Sequence, residues 1–199
     1  MGKLIAKTAL ITLSGLIALS LVLWGIFSWL APSIMVTITE GLGLDAASAR
    51  YSVSSYKKSG DIEDLAYAVE RSYSCGLYSI SSKYGQELLL HEDFDSYSEE
   101  REMSSGEYRR MIAGMASVSL YYIGQKAEAL SLASEYTAGE FLEFNGLERL
   151  LNAAMNQGDK IFVQQIGAAI REIKLEPSDT EGSAHREEVL KICDAFLNN

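Results

Sequence analysis

The chain has 199 residues with 27 acidic and 17 basic side chains, a formal net charge of −10, and only two cysteines and two histidines. All of its acidic residues and all but two of its basic ones lie after residue 39, which excludes a general nucleic-acid binder, because a polyanion needs a basic stripe. The length beyond that point suffices for one domain with its own core.

From residue 8 to residue 39 the chain carries no charged side chain. At about 1.5 Å per residue, the stretch 8–31 is long enough to cross a hydrocarbon core of about 30 Å as a helix, with Pro32 closing it. The run exceeds the apolar core of a signal peptide, and a cut after Ala31 would place bulky Trp29 and Pro32 around the scissile bond. An uncleaved signal anchor is therefore expected. No cysteine lies near the run, and Ala6 stands where a myristoylation motif wants Ser or Thr, so the anchor is peptide rather than lipid. Lys3 and Lys7 precede the run, whereas Glu40 and Asp45 are the first charges after it; the positive end is expected on the cytoplasmic side and the C-terminal domain outside. Trp24 and Trp29 fall at the far end, where indole rings favour the headgroup zone.

Three parts follow: a membrane anchor over 1–31, a juxtamembrane segment over 32–44 and an acidic helical domain over 45–199. Pro32 opens a short apolar segment with Ile34, Met35, Ile38 and Leu42, ended by Gly41 and Gly43, which reads as a continuation of the anchor along the membrane surface. Asp45 is expected to cap a helix running to Lys58, with Gly60 as its left-handed stop. Asp61 caps the next, whose apolar face is Ile62, Leu65, Ala66, Val69 and Tyr73. A helix over 77–91 is interrupted by Gly85, and an acidic loop spans 91–102. Ser104-x-x-Glu107 is a capping box for a helix with Tyr108, Met111, Ile112, Met115 and Tyr122 on one face, stopped by Gly124. A helix over 126–136 follows. Thr137-x-x-Glu140 is a second capping box, opening a helix with Phe144, Leu147, Leu151 and Met155 that ends at Gly158. Asp159 caps a helix with Phe162, Ile166, Ala169, Ile170 and Ile173. A polar linker with Glu176 and Pro177 precedes a last helix opened by Ser183 and bearing Val189, Cys193, Phe196 and Leu197.

No alternating strand pattern persists, so the fold class is all-α, with antiparallel helical hairpins after the anchor. The turns at Gly60-Asp61, Gly124 and Gly158-Asp159 look alike, and the glycines at 124 and 158 are 34 positions apart. This spacing resembles the tetratricopeptide repeat, roughly over 45–174, with Leu120, Ala129 and Ala133 at pattern positions around Gly124. The repeat's tryptophan and closing proline are absent, and Ala113 and Ser117 replace its large residue and first glycine, so no groove residue carries over. The resemblance implies a stacked solenoid with a protein-binding concave face; an irregular helical bundle is the alternative.

The inventory for catalysis is thin. His91 and His185 lack local metal-ligand spacing and read as exposed helix-end residues, no phosphate loop or Gly-x-Ser-x-Gly is present, and no cofactor or metal is expected. Asp93 and Asp95 fail the EF-hand pattern, with tyrosine at its fifth position and no glycine at its sixth. Cys193 falls on an apolar helix face and reads as a buried thiol, with one long-range disulfide to Cys75 as the alternative for a domain outside the cell. Tyr51, Tyr56, Tyr67 and Tyr73 are candidates for an interaction surface, against the plainer reading that they pack between helices. The expected function is a single-pass anchored protein-interaction platform, whose partners are the lipid bilayer and another membrane or envelope protein. The alternative is an accessory subunit recruited through its transmembrane helix at Ser14, Gly15 and Ala18; an enzyme with a non-local site is the least favoured class.

Overall fold

The computed structural model describes residues 2–137, 146–175 and 178–198. Among these there are eleven helices and no strand. The first, α1 (Gly2–Leu30), contains a 21-residue stretch, Leu10–Leu30, that is long and apolar enough to cross a membrane, and none of it is buried. It stops because Pro32 pushes the residue before it out of the helical region: Ala31 sits at φ −137°, ψ 68°. Pro32 then opens α2 (Pro32–Gly41), where its missing N–H costs nothing.

Met35 and Thr39 are the buried side of α2, facing α3 (Asp45–Ser59), whose own buried face is Ser48, Ala49, Ser52 and Ser55. Small side chains there let α2 and α4 approach α3 closely. Asp45 is not the cap expected of it. Leu44 holds that position without a side-chain bond, and Asp45 lies in the first turn, 3.5 Å from Arg71. Asp61 does cap α4 (Ile62–Ser74), its Oδ1 accepting from the Glu63 amide at 2.9 Å, and Leu65, Ala66 and Val69 are fully buried.

Gly85 does not interrupt α5 (Tyr78–Leu89). It faces α7, and a Cβ there would lie 2.9 Å from that of Ala116, so glycine is what allows the two helices to touch. The expected acidic loop contains a helix, α6 (Phe94–Glu100). Phe94 and Ser98, one turn apart, are buried, and Arg109 lies over the Phe94 ring at 4.3 Å while pairing with Asp95 at 3.0 Å.

The Ser104 hydroxyl accepts from the Glu107 amide at 3.2 Å and opens α7 (Ser105–Tyr122). Its buried surface is wider than the expected stripe: Tyr108 and Ile112 are buried, but so are Ala113, Ala116, Ser117, Val118, Leu120 and Tyr121, while Tyr122 is exposed. The reason is position, since α7 packs against α4, α5, α6, α8 and α9. After α8 (Lys126–Glu135), the Thr137 hydroxyl donates back to the Ala133 carbonyl at 2.8 Å. Glu140 and Phe144 lie outside the described residues, as do Glu176 and Pro177 of the expected linker. The helix α9 (Gly146–Asn156) buries Leu147, Leu150, Leu151 and Ala154, and Asp159 caps α10 (Lys160–Glu172) by accepting from the Phe162 amide at 3.3 Å. The last helix, α11 (Thr180–Asn198), begins earlier than Ser183, because Asp179 accepts from the Gly182 amide at 2.7 Å. Cys193 is fully buried and Cys75 partly so; both thiols are free.

Two cores share α7. One joins α4, α5, α6 and the start of α7 around Leu65, Val69, Leu88, Phe94, Tyr108 and Ile112. The other joins the end of α7 to α8–α11 around Leu120, Leu147, Leu150, Leu151, Phe162 and Ile166.

Candidate interaction surface

The glycines expected to mark like turns fall into two kinds. At Gly124 and Gly158 the left-handed glycine N–H bonds to the carbonyl three residues back and the following N–H to the one five back, as in Gly124 to Tyr121 (3.0 Å) and Gln125 to Leu120 (2.9 Å). The same pair of bonds recurs at Gly43 and Gly76. Gly60 is different, with one bond to the carbonyl of Tyr56, four residues back, at 2.7 Å. Asp159 also joins two turns: its carboxylate accepts from Lys126 at 2.5 Å and from the Tyr121 hydroxyl at 3.3 Å, and the Lys126 bond chiefly holds its carboxyl below the usual range.

On α4 the residues that face away from the core are Glu63, Tyr67, Glu70 and Arg71, at helical spacing. Opposite them, burial of Phe94 and Ser98 turns Tyr97 of α6 and the adjoining Arg101 toward α4. Between the two lies a cleft of about 590 Å³ lined by Asp61, Ile62, Glu63, Tyr67, Glu70, Tyr97, Glu100 and Arg101. A smaller pocket of about 250 Å³ adjoins it through Tyr67 and Glu70 and reaches Arg71 and Ser74.

Glu70 organises the floor. Its Oε1 accepts from the Arg101 guanidinium at 2.5 Å and from the Tyr108 hydroxyl at 3.0 Å, and Arg101 also donates to Tyr108 at 3.0 Å. The Arg101 guanidinium lies over both tyrosine rings, 5.7 Å from Tyr97 and 5.2 Å from Tyr108. Burial, reinforced by the nearby Glu70 charge, pushes the Tyr108 phenol up, and burial does the same to Tyr97. For Arg101, burial works against the charge but the Glu70 bond and charge outweigh it, and its pKa rises. All three groups therefore keep fixed protonation states across the physiological range. With Arg101 committed to Glu70, the rim carboxylates of Asp61, Glu63 and Glu100 leave the cleft acidic.

Of the four tyrosines singled out from sequence, only Tyr67 lines the cleft, its hydroxyl bonded to Ser48 at 3.1 Å and to Arg71. Tyr51 points to α1, where its hydroxyl meets the Trp24 indole at 3.0 Å and the Ser28 hydroxyl at 2.8 Å. Tyr56 donates to Glu87 at 2.8 Å and packs edge-on to Tyr84; burial first, then Glu87, raises its phenol to about 12. Tyr73 packs against the C-terminal core. Tyr97 and Arg101 carry no sequence signal beyond the Phe94/Ser98 spacing inside an acidic stretch, and Tyr108 is expected only on the apolar face of α7.

The two histidines are not fully exposed. His91 accepts from the Asp93 amide at 3.2 Å beside the Tyr56 ring, and His185 lies 3.2 Å from Glu148. Among the described residues no three His, Cys, Asp or Glu side chains gather to hold a metal ion. Of the residues expected to flank a membrane span, Lys7 and Trp29 are exposed, Trp24 is 37% exposed and Pro32 is buried. The chain matches no family model, no curated protein and no solved structure.

Proposed function

We propose that this chain is a single-pass membrane protein whose α1 anchors an acidic helical-repeat domain that serves as a protein-interaction platform at the membrane surface. The observation that carries the reading is α1 itself: a 21-residue stretch of apolar character in which no residue is buried, attached to a body that closes two cores without it. The recurring turn supports the repeat. Gly43 and Gly76 are 33 positions apart and Gly124 and Gly158 are 34 apart, with the α6 segment lengthening the interval between Gly76 and Gly124. Those turns join α2 to α3, α4 to α5, α7 to α8 and α9 to α10, four antiparallel pairs resembling tetratricopeptide hairpins in a register set by Gly43 and Gly76 rather than Gly60. The acidic, tyrosine-lined cleft between α4 and α6 is the recognition surface, suited to a basic segment of a membrane or envelope protein.

Lys3 and Lys7 keep the N-terminus in the cytoplasm and the domain outside. Reporters that work on only one side of the membrane, fused after Asn199, test this; cytoplasmic activity reverses the topology. A second reading, an accessory subunit recruited through α1, is favoured by one detail: Gly15, beside Ser14 and Ala18, has open space where a Cβ would point, room for another helix backbone. Replacing residues 8–30 by an unrelated apolar helix separates the two. Retained partner co-purification supports the platform, and loss of it supports recruitment through α1.

A further inference from the structure

We infer that the outer face of α2 and the α2–α3 turn form a second lipid contact, so that the domain lies on the bilayer rather than hanging from a tether. The inference rests on reading α1 as the membrane span. The face is an uncovered apolar row: Ile34, Ile38 and Leu42 recur every fourth residue and are 49%, 40% and 62% exposed, and Leu44 beside them is 47% exposed. About a quarter-turn round the same helix Met35 and Thr39 are buried, so the row flanks the side the body covers and is itself left uncovered.

What lies against the row follows from how α3 is tied to α1. The Tyr51 hydroxyl is bonded to both the Trp24 indole and the Ser28 hydroxyl, at 3.0 and 2.8 Å. Two turns on, the Lys58 ammonium donates to the Trp29 carbonyl and sits 5.9 Å from the centre of that indole. Trp24 is about 9 Å back along α1 from Leu30, at about 1.5 Å per residue. Tyr51 is thus held at the depth where the span meets the headgroups, and α3 climbs in the same sense as α1 from there. With Trp24 marking the headgroup level, the beginning of α3, with Leu44 and the turn, lies about 10 Å nearer the lipid than Tyr51, the depth to which an interfacial apolar face sinks. Only one residue, Ala31, separates α1 from α2, which leaves no linker to carry the row away.

Charge agrees with the placement. Glu40 and Asp45, the acids flanking the turn, both face Arg71, at 2.7 and 3.5 Å, so the part of an acidic domain nearest the lipid has its carboxylates paired. An apolar row with paired charges beside it, fixed at the end of a span, fits the acyl–headgroup boundary.

The test uses the full chain in phosphatidylcholine–phosphatidylglycerol vesicles, with Cys75→Ser removing the accessible thiol and a nitroxide placed in turn at Leu16→Cys, Ile38→Cys, Leu42→Cys, Leu44→Cys and Ile161→Cys. Collision with oxygen, which concentrates in lipid, is compared with collision with a water-soluble nickel chelate. The expected result is an oxygen-to-nickel ratio at positions 38, 42 and 44 several-fold above that at the 75% exposed Ile161 position. Tyr51→Phe, which removes both bonds to α1, is expected to lower the ratio at 42 and 44 and leave 16 unchanged. Lipid exposure at 16 with nickel access at 42 and 44 overturns the inference while the anchor stands. Shielding of 42 and 44 from both reagents also overturns it, because the face is then covered by protein. Nickel access at 16 overturns the anchor itself.

Discussion

The two cores that share α7 differ in the polar residues packed around them. The C-terminal core is aliphatic and dense, with Leu147, Leu150, Leu151, Val163, Ile166 and Ile170 closing on Phe162. The half nearer α1 adds small hydroxyl residues to its own core of Leu65, Leu88, Phe94 and Tyr108: α3 turns Ser48, Ser52 and Ser55 inward, and the buried hydroxyls of Ser52, Ser72, Ser81 and Ser117 have no hydrogen-bond partner among the described residues. An unpaired buried hydroxyl costs rather than contributes. The same half holds the cleft, the α1 contacts and the hydrogen-bonded Tyr51, Tyr56, Tyr67 and Tyr108. The half with the unpartnered buried hydroxyls is where α1 joins and where recognition is proposed.

Cavity formation gives the largest contrast. Phe162→Ala is expected to destabilise the protein by about 3–5 kcal/mol, followed by denaturant unfolding in detergent micelles, because the ring is buried and stacked on Tyr121 at 5.2 Å. A loss below about 1 kcal/mol would mean that this core does not dominate. In the other half Gly85→Ala is expected to cost about 1–3 kcal/mol by pushing α5 from Ala116, despite alanine's better helix propensity; a stabilised variant would show that the helices do not touch there. Glu70→Ala strands Arg101 and the Tyr108 hydroxyl together. A cost of about 1–3 kcal/mol is expected, together with loss of partner binding, whereas Glu63→Ala on the rim should weaken binding without changing stability.

Asp159 supplies a pH test. Its folded pKa is depressed, so its stabilising effect is present above the unfolded carboxylate value of about 4 and disappears as pH falls through the folded value. Wild type and Asp159→Asn should therefore differ at pH 7 by a small amount, under about 1 kcal/mol because Lys126 is half exposed, and converge below about pH 4. The smallest effect is the most pointed: Ser72→Ala removes a buried hydroxyl with no partner among the described residues, and unfolding should show no loss or a slight gain in stability.

How much of this was legible depends on whether the signal was local. Asp61, Ser104 and Asp159 announce helix starts because a cap bonds to an amide only two or three residues on. The turns were harder. Gly60-Asp61 and Gly158-Asp159 share residues yet bond differently, and the turns at Gly43 and Gly76 share the bonding of Gly158 without its aspartate. On α7, a one-sided stripe was the natural expectation for a surface helix, and a helix surrounded by five others buries more than one side. The cleft was the least legible part. Glu70 meets Arg101 31 residues later and Tyr108 38 later, and charges and tyrosines on α6 read singly as a solvated loop.

The most direct test of an anchored platform is photo-crosslinking in native membranes with a benzophenone amino acid at Tyr97 in the cleft and, separately, at Leu19 in α1. The account predicts a discrete product from position 97 that survives replacement of residues 8–30 by an unrelated apolar helix and is lost with Arg101→Ala. A discrete product from position 19 alone, with none from 97, would contradict it.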